Sequence, residues 1–298
     1  MSRIAIGIPF FASKHIEPLI LCLKSLQKYC RLKFDLFILL NCSDPSQYRE
    51  LCFPKILETA QELYVKWYCG DDNAYKQTLV DWIADFDCRY DYMFILHSDV
   101  FLYKENVLET MLEAIEGTEH LISCWNVPVQ LFRSTYHTSP ENLVEFLVAP
   151  RVSSWLMCIS VKKYRNFRDH CELGKYLFLG FTHNTAQKPS NAVWQWFQEQ
   201  TPDNLKHYIS GGKAIIDHGG VLKYYLSIGA ISSVSLGEDI NPSFSSMDLY
   251  FNPYGYVHIG QMDPNRYDDI FYKKALLEAR LQKIRNLLRT EYSVNFEE

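Results

Sequence analysis

Tyr92-Met93-Phe94-Ile95-Leu96-His97-Ser98-Asp99-Val100 is a short apolar run that ends abruptly in an imidazole and a carboxylate two positions apart. Five apolar or aromatic residues in succession predict a strand buried on both faces. Such a strand delivers its last polar groups to the carboxyl edge of a sheet, where open α/β sheets bind ligands. On extended chain, residues two apart point to one side, so His97 and Asp99 are expected to share a space. A carboxylate and an imidazole there can hold a divalent ion, and the ion can hold a diphosphate. The alternative is that Asp99 caps a helix starting near Lys104 and His97 is an ordinary half-buried histidine.

Upstream, the pattern alternates. Arg3 to Phe11 predicts a buried strand that ends at Pro9, which cannot donate to a ladder. Ile16, Leu19, Ile20, Leu23 and Leu26 recur at the spacing of one helical face. Phe34 to Leu40 predicts a second strand, running into the turn formers Asn41-Cys42-Ser43-Asp44-Pro45. A helix is expected over Ser46 to Leu63, interrupted near Pro54, then a strand over Leu63 to Tyr68 and a helix over Ala74 to Phe86. Alternation of this kind predicts parallel strands joined by crossover helices. There is no Gly-x-Gly-x-x-Gly and no Gly-Lys-Ser/Thr phosphate loop, so a dinucleotide or P-loop site is unsupported.

Downstream, Lys104 to Glu116 reads as helix, and His120 to Val127 and Val152 to Val161 as strands. His137 to Glu145 is expected to hold a short capped helix, and 162–212 has no readable pattern. Val221 to Leu226 reads as helix, Tyr254 to Ile259 as a short strand, and Tyr267 to Tyr292 as a long helix with Ile270, Leu277, Leu281, Ile284 and Leu288 as its stripe.

Composition narrows the function. The 298 residues are 48% hydrophobic and carry a formal charge of −5, so a nucleic-acid footprint is not expected. Nine cysteines include no Cys-x-x-Cys pair, and several sit in apolar runs. Met1-Ser2-Arg3-Ile4 passes directly into a strand, without a signal-peptide pattern, and no apolar segment approaches the roughly 20 residues of a membrane span. These features predict a reduced, cytoplasmic protein. The last helix carries Lys273, Lys274, Arg280, Lys283, Arg285 and Arg289. It can pack on the domain or lie on an anionic membrane, giving peripheral membrane contact.

Five stretches together resemble the nucleotide-sugar glycosyltransferases of the GT-A fold, nearest to the inverting glycosyltransferase family 2. Ile4 to Pro9 resembles that family's opening strand. Leu40-Asn41-Cys42-Ser43-Asp44 resembles its second-strand Asp-x-Ser-x-Asp motif, and Ile95 to Val100 its Leu-Asp-x-Asp metal run. Ile216-Asp217-His218, with Gly229 beyond it, resembles the acidic pair that supplies the base. Tyr256-Val257-His258-Ile259-Gly260 resembles the late histidine of the metal site. The continuous match covers roughly the first 115 residues.

The resemblance implies a three-layer α/β/α sandwich with a mostly parallel, Rossmann-like central sheet and a C-terminal helix. It implies one catalytic domain over 1–262, with a nucleotide-sugar half (1–115) and an acceptor half (116–262), followed by the amphipathic helix 263–298. The implied activity is metal-dependent, inverting transfer of a sugar from a nucleotide-diphosphate donor of UDP or GDP type to a glycan or glycoconjugate. The implied roles are metal ligation by Asp99, His258 and His97, and base catalysis by Asp217. Pro9, Phe10, Asn41, Ser43, Asp44, Asp71, Asn73, His97 and Ser98 would line the donor site. Two departures stand out: His97 replaces the first metal carboxylate, and Asp-His replaces the usual acidic pair. Imidazole ligation would favour Mn²⁺ over Mg²⁺. Each residue keeps a plainer reading. Asp217 can cap the following helix, Asp71 to Asn73 can form a turn, and His258 can be an edge histidine. The competing activities are a nucleotidyltransferase of related fold, which would want a glycine-rich loop where Phe10-Phe11-Ala12-Ser13-Lys14 stands, and an inactive sugar-nucleotide-binding protein.

Overall fold

The structure is a computed structural model. It describes residues 2–11, 17–41, 60–69, 74–86, 89–127, 130–135, 143–148, 151–179, 181–182, 190–201, 203, 206, 215–216, 218–239, 249–259, 282 and 286. The predicted helices over 46–63 and 267–292 lie outside the described residues, apart from 60–63, 282 and 286.

The first part alternates as expected: β1 (Ile4–Phe11), α1 (Glu17–Tyr29), β2 (Asp35–Asn41), β3 (Leu63–Tyr68), α2 (Tyr75–Asp85) and β4 (Tyr92–Leu96). Then follow β5 (Val100–Leu102), α3 (Val107–Ile115), β6 (Ile122–Val127), β7 (Gln130–Thr135), β8 (Leu143–Val148), β9 (Arg151–Val152) and β10 (Leu156–Ser160). The rest comprises α4 (Val161–His170), β11 (Phe181–Thr182), α5 (Ser190–Gln200), β12 (Ile215–Ile216), α6 (His218–Ser227), β13 (Ser233–Glu238), β14 (Leu249–Asn252) and β15 (Tyr256–Ile259).

The main sheet runs in the order β13-β6-β10-β4-β1-β2-β3, with β9 paired to β6. On that path β10 alone runs against the others. Successive side chains leave a strand on opposite faces, and each face has its own core. Ile4, Ile6, Ile8, Phe94 and Leu96 face one layer with α1 and α3. Ala5, Phe37, Met93 and Ile95 face the other, with α2, α4, α5 and α6. This is the three-layer sandwich with a mostly parallel sheet that the resemblance implies. Strands from before and after residue 116 share it. Among the described residues no helix is long and apolar enough to cross a membrane.

Three expectations need correction. β1 continues past Pro9 to Phe11, because its ladder to β4 has already stopped at Gly7 and only the β2 side remains paired there. Leu143 to Glu145 belong to strand β8, not to a helix. Leu143-Val144-Glu145-Phe146-Leu147-Val148 pairs antiparallel with the preceding strand Gln130–Thr135, a ladder that overrides the local cap signal. Residues 137–142 lie outside the described residues. The chain around His97 is not extended. β4 ends at Leu96, and residues 97–99 turn sharply into β5. β5 leaves the main sheet for a small antiparallel one, ordered β14-β15-β5.

Candidate metal centre

Strand register brings the site together. In the small sheet His258 lies opposite Val100, one residue from Asp99. In the main sheet Leu156 lies opposite Leu96, so Trp155 meets His97 just beyond the last pair. The His97 N–H donates to the Trp155 carbonyl at 2.8 Å, and the Val100 N–H returns to the His97 carbonyl at 3.1 Å. His97 and Asp99 therefore converge through a turn, not through strand alternation.

His258 Nε2 stands 3.3 Å from Asp99 Oδ1, and His97 Nδ1 stands 3.8 Å from the same oxygen. One donor atom from each of the three lies within 4.8 Å of the others. An ion about 2.1 Å from each donor holds neighbouring donors roughly 3 to 4 Å apart, and both separations to Asp99 fall in that range. Two imidazoles and one carboxylate are a borderline-soft donor set that can hold a divalent metal ion. Side-chain exposure runs from 8% for His258 through 16% for Asp99 to 22% for His97, so the open side of the cluster is at His97.

The back of the cluster is aromatic. The Trp155 indole stacks on the His258 ring, centroids 4.5 Å apart and planes 9° from parallel. The His97 ring meets His258 edge-on at 5.6 Å. Beneath them Cys22 directs its thiol toward the His97 carbonyl at 3.8 Å. Burial, and then the Asp99 charge, pushes that thiol well above its ordinary range. Asp99 caps no helix: α3 begins at Val107 behind Asn106.

The other candidates are placed as follows. Pro9 and Phe10 are buried near the end of β1, with Phe10 in the core beside α1. Asn41 is the last residue of β2, paired with Phe11 and Tyr68. Ser98 is half-buried in the turn between the two ligands. Ser43, Asp44, Asp71, Asn73 and Asp217 lie outside the described residues. The neighbours of Asp217 are described: β12 ends at Ile216, and α6 starts at His218, whose ring meets the Tyr75 ring edge-on at 5.4 Å. Next to Tyr75, the buried Lys76 ammonium donates to the Ser154 carbonyl at 2.8 Å. A short chain of contacts therefore links the start of α6 to the turn that carries Trp155.

Nothing in the sequence singled out Asp239. Asp239 follows edge strand β13 and is 1% exposed. Its carboxylate accepts from Ser153 Oγ, from Tyr256 Oη (2.6 and 2.8 Å to the two oxygens) and from Asn252 Nδ2 at 2.6 Å. Burial raises its pKa above the usual carboxylate value, opposed by those three donors. The signal available was an acid pair after a glycine at a strand end, Gly237-Glu238-Asp239, which is too common to single out.

No family model matches the chain, and no curated protein matches it. Solved structures do superpose on it. One, described as a nucleotide-diphospho-sugar transferase of Desulfovibrio desulfuricans G20, is 11% identical over 80% of this chain and 81% of its own, with TM-score 0.43. Mouse xyloside xylosyltransferase 1 is 12% identical over 78% and 85%, with TM-score 0.42. The glycosyltransferase GlyE of Streptococcus pneumoniae TIGR4 is 14% identical over 79% and 45%, with TM-score 0.42. At these TM-scores the neighbours add nothing to what the site's own geometry carries.

Proposed function

We propose that this chain is a metal-dependent, inverting glycosyltransferase that moves a sugar from a nucleotide-diphosphate donor, of UDP or GDP type, to a glycan or glycoconjugate. The observation that carries this reading is the His97–Asp99–His258 cluster at the carboxyl edge of the sheet, where a doubly wound fold places its ligands. Residues 1–262 would act as one catalytic unit.

Asp99, His258 and His97 would hold the cation, with Mn²⁺ preferred over Mg²⁺. When bound, the cation supplies positive charge against the departing diphosphate. Three protein donors leave coordination positions open for phosphate oxygens. Trp155 covers one face of His258 and keeps water from that side. The carboxylate of Asp217 would accept the proton of the acceptor hydroxyl as that oxygen attacks the anomeric carbon from the side opposite the diphosphate. Its support is the resemblance of Ile216-Asp217-His218 to the acidic pair before a helix that supplies the base.

The test is thermal stability with UDP, GDP, CDP and dTDP, each with and without Mn²⁺. A ligand that binds only the native state raises the melting point by mass action. One nucleotide should shift it in a metal-requiring way, and Asp99→Asn should abolish that shift. Asp217→Asn should keep the shift and lose transfer by a factor of about 100 or more. A shift that ignores Mn²⁺, or survives Asp99→Asn, would sink the metal reading.

A further inference from the structure

We propose that Asp239 is a positioning residue for this centre: its buried carboxylate ties the β14–β15 hairpin to the turn between β9 and β10, and so fixes His258 against Trp155 and within reach of Asp99.

The hairpin that carries His258 is attached to β5 and the residues just after it, where Tyr256, Val257 and His258 pair with the strand and the Tyr103 and Lys104 N–H groups donate to the Gly255 carbonyl. Three pairs of residues at the end of a short strand set height and tilt poorly. Asp239 supplies a second attachment. It takes a hydrogen bond from each strand of the hairpin, on either side of the turn: Asn252 closes β14 and Tyr256 opens β15. Its third donor, Ser153, lies two residues before Trp155, and the Asp239 N–H donates to the Asn126 carbonyl of β6 at 2.9 Å. Tyr256 and His258 are two apart on one strand and share a face. Fixing the Tyr256 hydroxyl therefore fixes the direction in which the His258 ring points.

The hairpin is also tuned to this attachment. Asn252 Oδ1 accepts from the Tyr254 N–H at 2.9 Å, and its carbonyl accepts from the Tyr103 hydroxyl at 2.5 Å. Gly255, at φ 140°, lies so close to α3 that a Cβ would meet Lys104 Cβ and Val107 Cγ2 at 2.7 Å. A carboxylate with three buried side-chain donors forms a fully satisfied network, and removing it strands those donors together. The buried group touches neither the cation's open side nor a substrate; it acts through His258.

The experiment compares wild type with Asp239→Asn, and with the milder Tyr256→Phe and Ser153→Ala, which fold if the first does not. Diethyl pyrocarbonate acylates imidazoles that solvent can reach, and peptide mass mapping reads each histidine separately. His170 is exposed and reports the reagent; His120, half-buried before β6, reports general loosening. We expect His258 to be protected in wild type and to gain reactivity in the variants, with His120 unchanged. Mn²⁺ affinity, read by electron paramagnetic resonance of the free ion, should fall about 10-fold or more in Asp239→Asn. The metal arm rests on the functional reading above; the acylation arm does not. If wild type binds no Mn²⁺, that reading fails while the histidine rates still decide this one. A His258 that stays protected in the variants overturns the proposal. So does a His120 that loosens equally, since Asp239 would then support the whole fold and not the site.

Discussion

Gly7 shows how little room a single position can have. β1 passes beneath α2 there, and a Cβ would meet Ile83 Cδ1 at 2.6 Å and the ends of Ile95 and Leu79 at 3.2 Å. Its backbone is ordinary strand, so the constraint is contact and not conformation. Gly7→Ala should cost about 1–3 kcal/mol of stability, the range for one methyl forced into a packed core. A urea midpoint unchanged from wild type would mean that Ile83 swings aside without penalty. At this scale the sequence was informative where chemistry clustered locally. His97 and Asp99 could be paired because they sit two apart at the end of an apolar run. His258 could be added to them only through family resemblance, and nothing local linked it to Trp155. Asp239 was invisible because its partners lie 13 to 86 positions away in the chain, and no residue pattern encodes such a meeting.

Elements were legible in proportion to how completely they are buried. β2 and β4 are almost wholly interior, so their apolar runs stood out. α4 was missed for the opposite reason. Among its ten residues only Val161 and Tyr164 are buried, too few for a periodic stripe. β13, an edge strand without a buried residue, left no alternation either. Instead of an apolar face, α4 has Arg168. Its guanidinium reaches Asp81 at 3.1 Å and both oxygens of Asp85 at 2.8 and 3.1 Å, tying α4 to α2. The Tyr164 hydroxyl donates to Asp81 Oδ1 at 2.6 Å in the same network. A fork of this shape suits arginine and not the single ammonium of lysine. Arg168→Lys should therefore lose roughly 1 kcal/mol, reduced because the aspartates are partly exposed and screened. Measured by urea unfolding, the loss should shrink at high salt. A loss of equal size at all salt concentrations would assign the effect to packing over the Tyr164 ring.

Among the described residues the main sheet and the small β14-β15-β5 sheet meet at the candidate centre. The main sheet supplies His97 and Trp155, the small sheet supplies His258, and Asp99 lies in the turn between β4 and β5 where the chain crosses over. A junction of this kind depends on the core around it staying dry, and the buried thiols and phenols report on that core. Burial pushes Cys124 up to about 12 and Cys158 well above its ordinary range. The Tyr164 and Tyr256 hydroxyls are raised as well, burial again being the largest cause. An unfolded chain releases thiol protons near about pH 8.5 and phenol protons near about pH 10, while the folded chain holds both. The folded state then binds more protons than the unfolded one, so these groups contribute fully below the unfolded values and lose their contribution as pH rises. Each adds a slope of about −1.4 kcal/mol per pH unit through its window. The urea midpoint should thus be steady near neutrality, fall from about pH 8.5, and fall faster from about pH 10. Cys124→Ala should remove one thiol's share of the first slope. A midpoint that stays level to about pH 10 would mean that water already reaches the thiols in the native state, and a core that wet could not hold His258 to a single position.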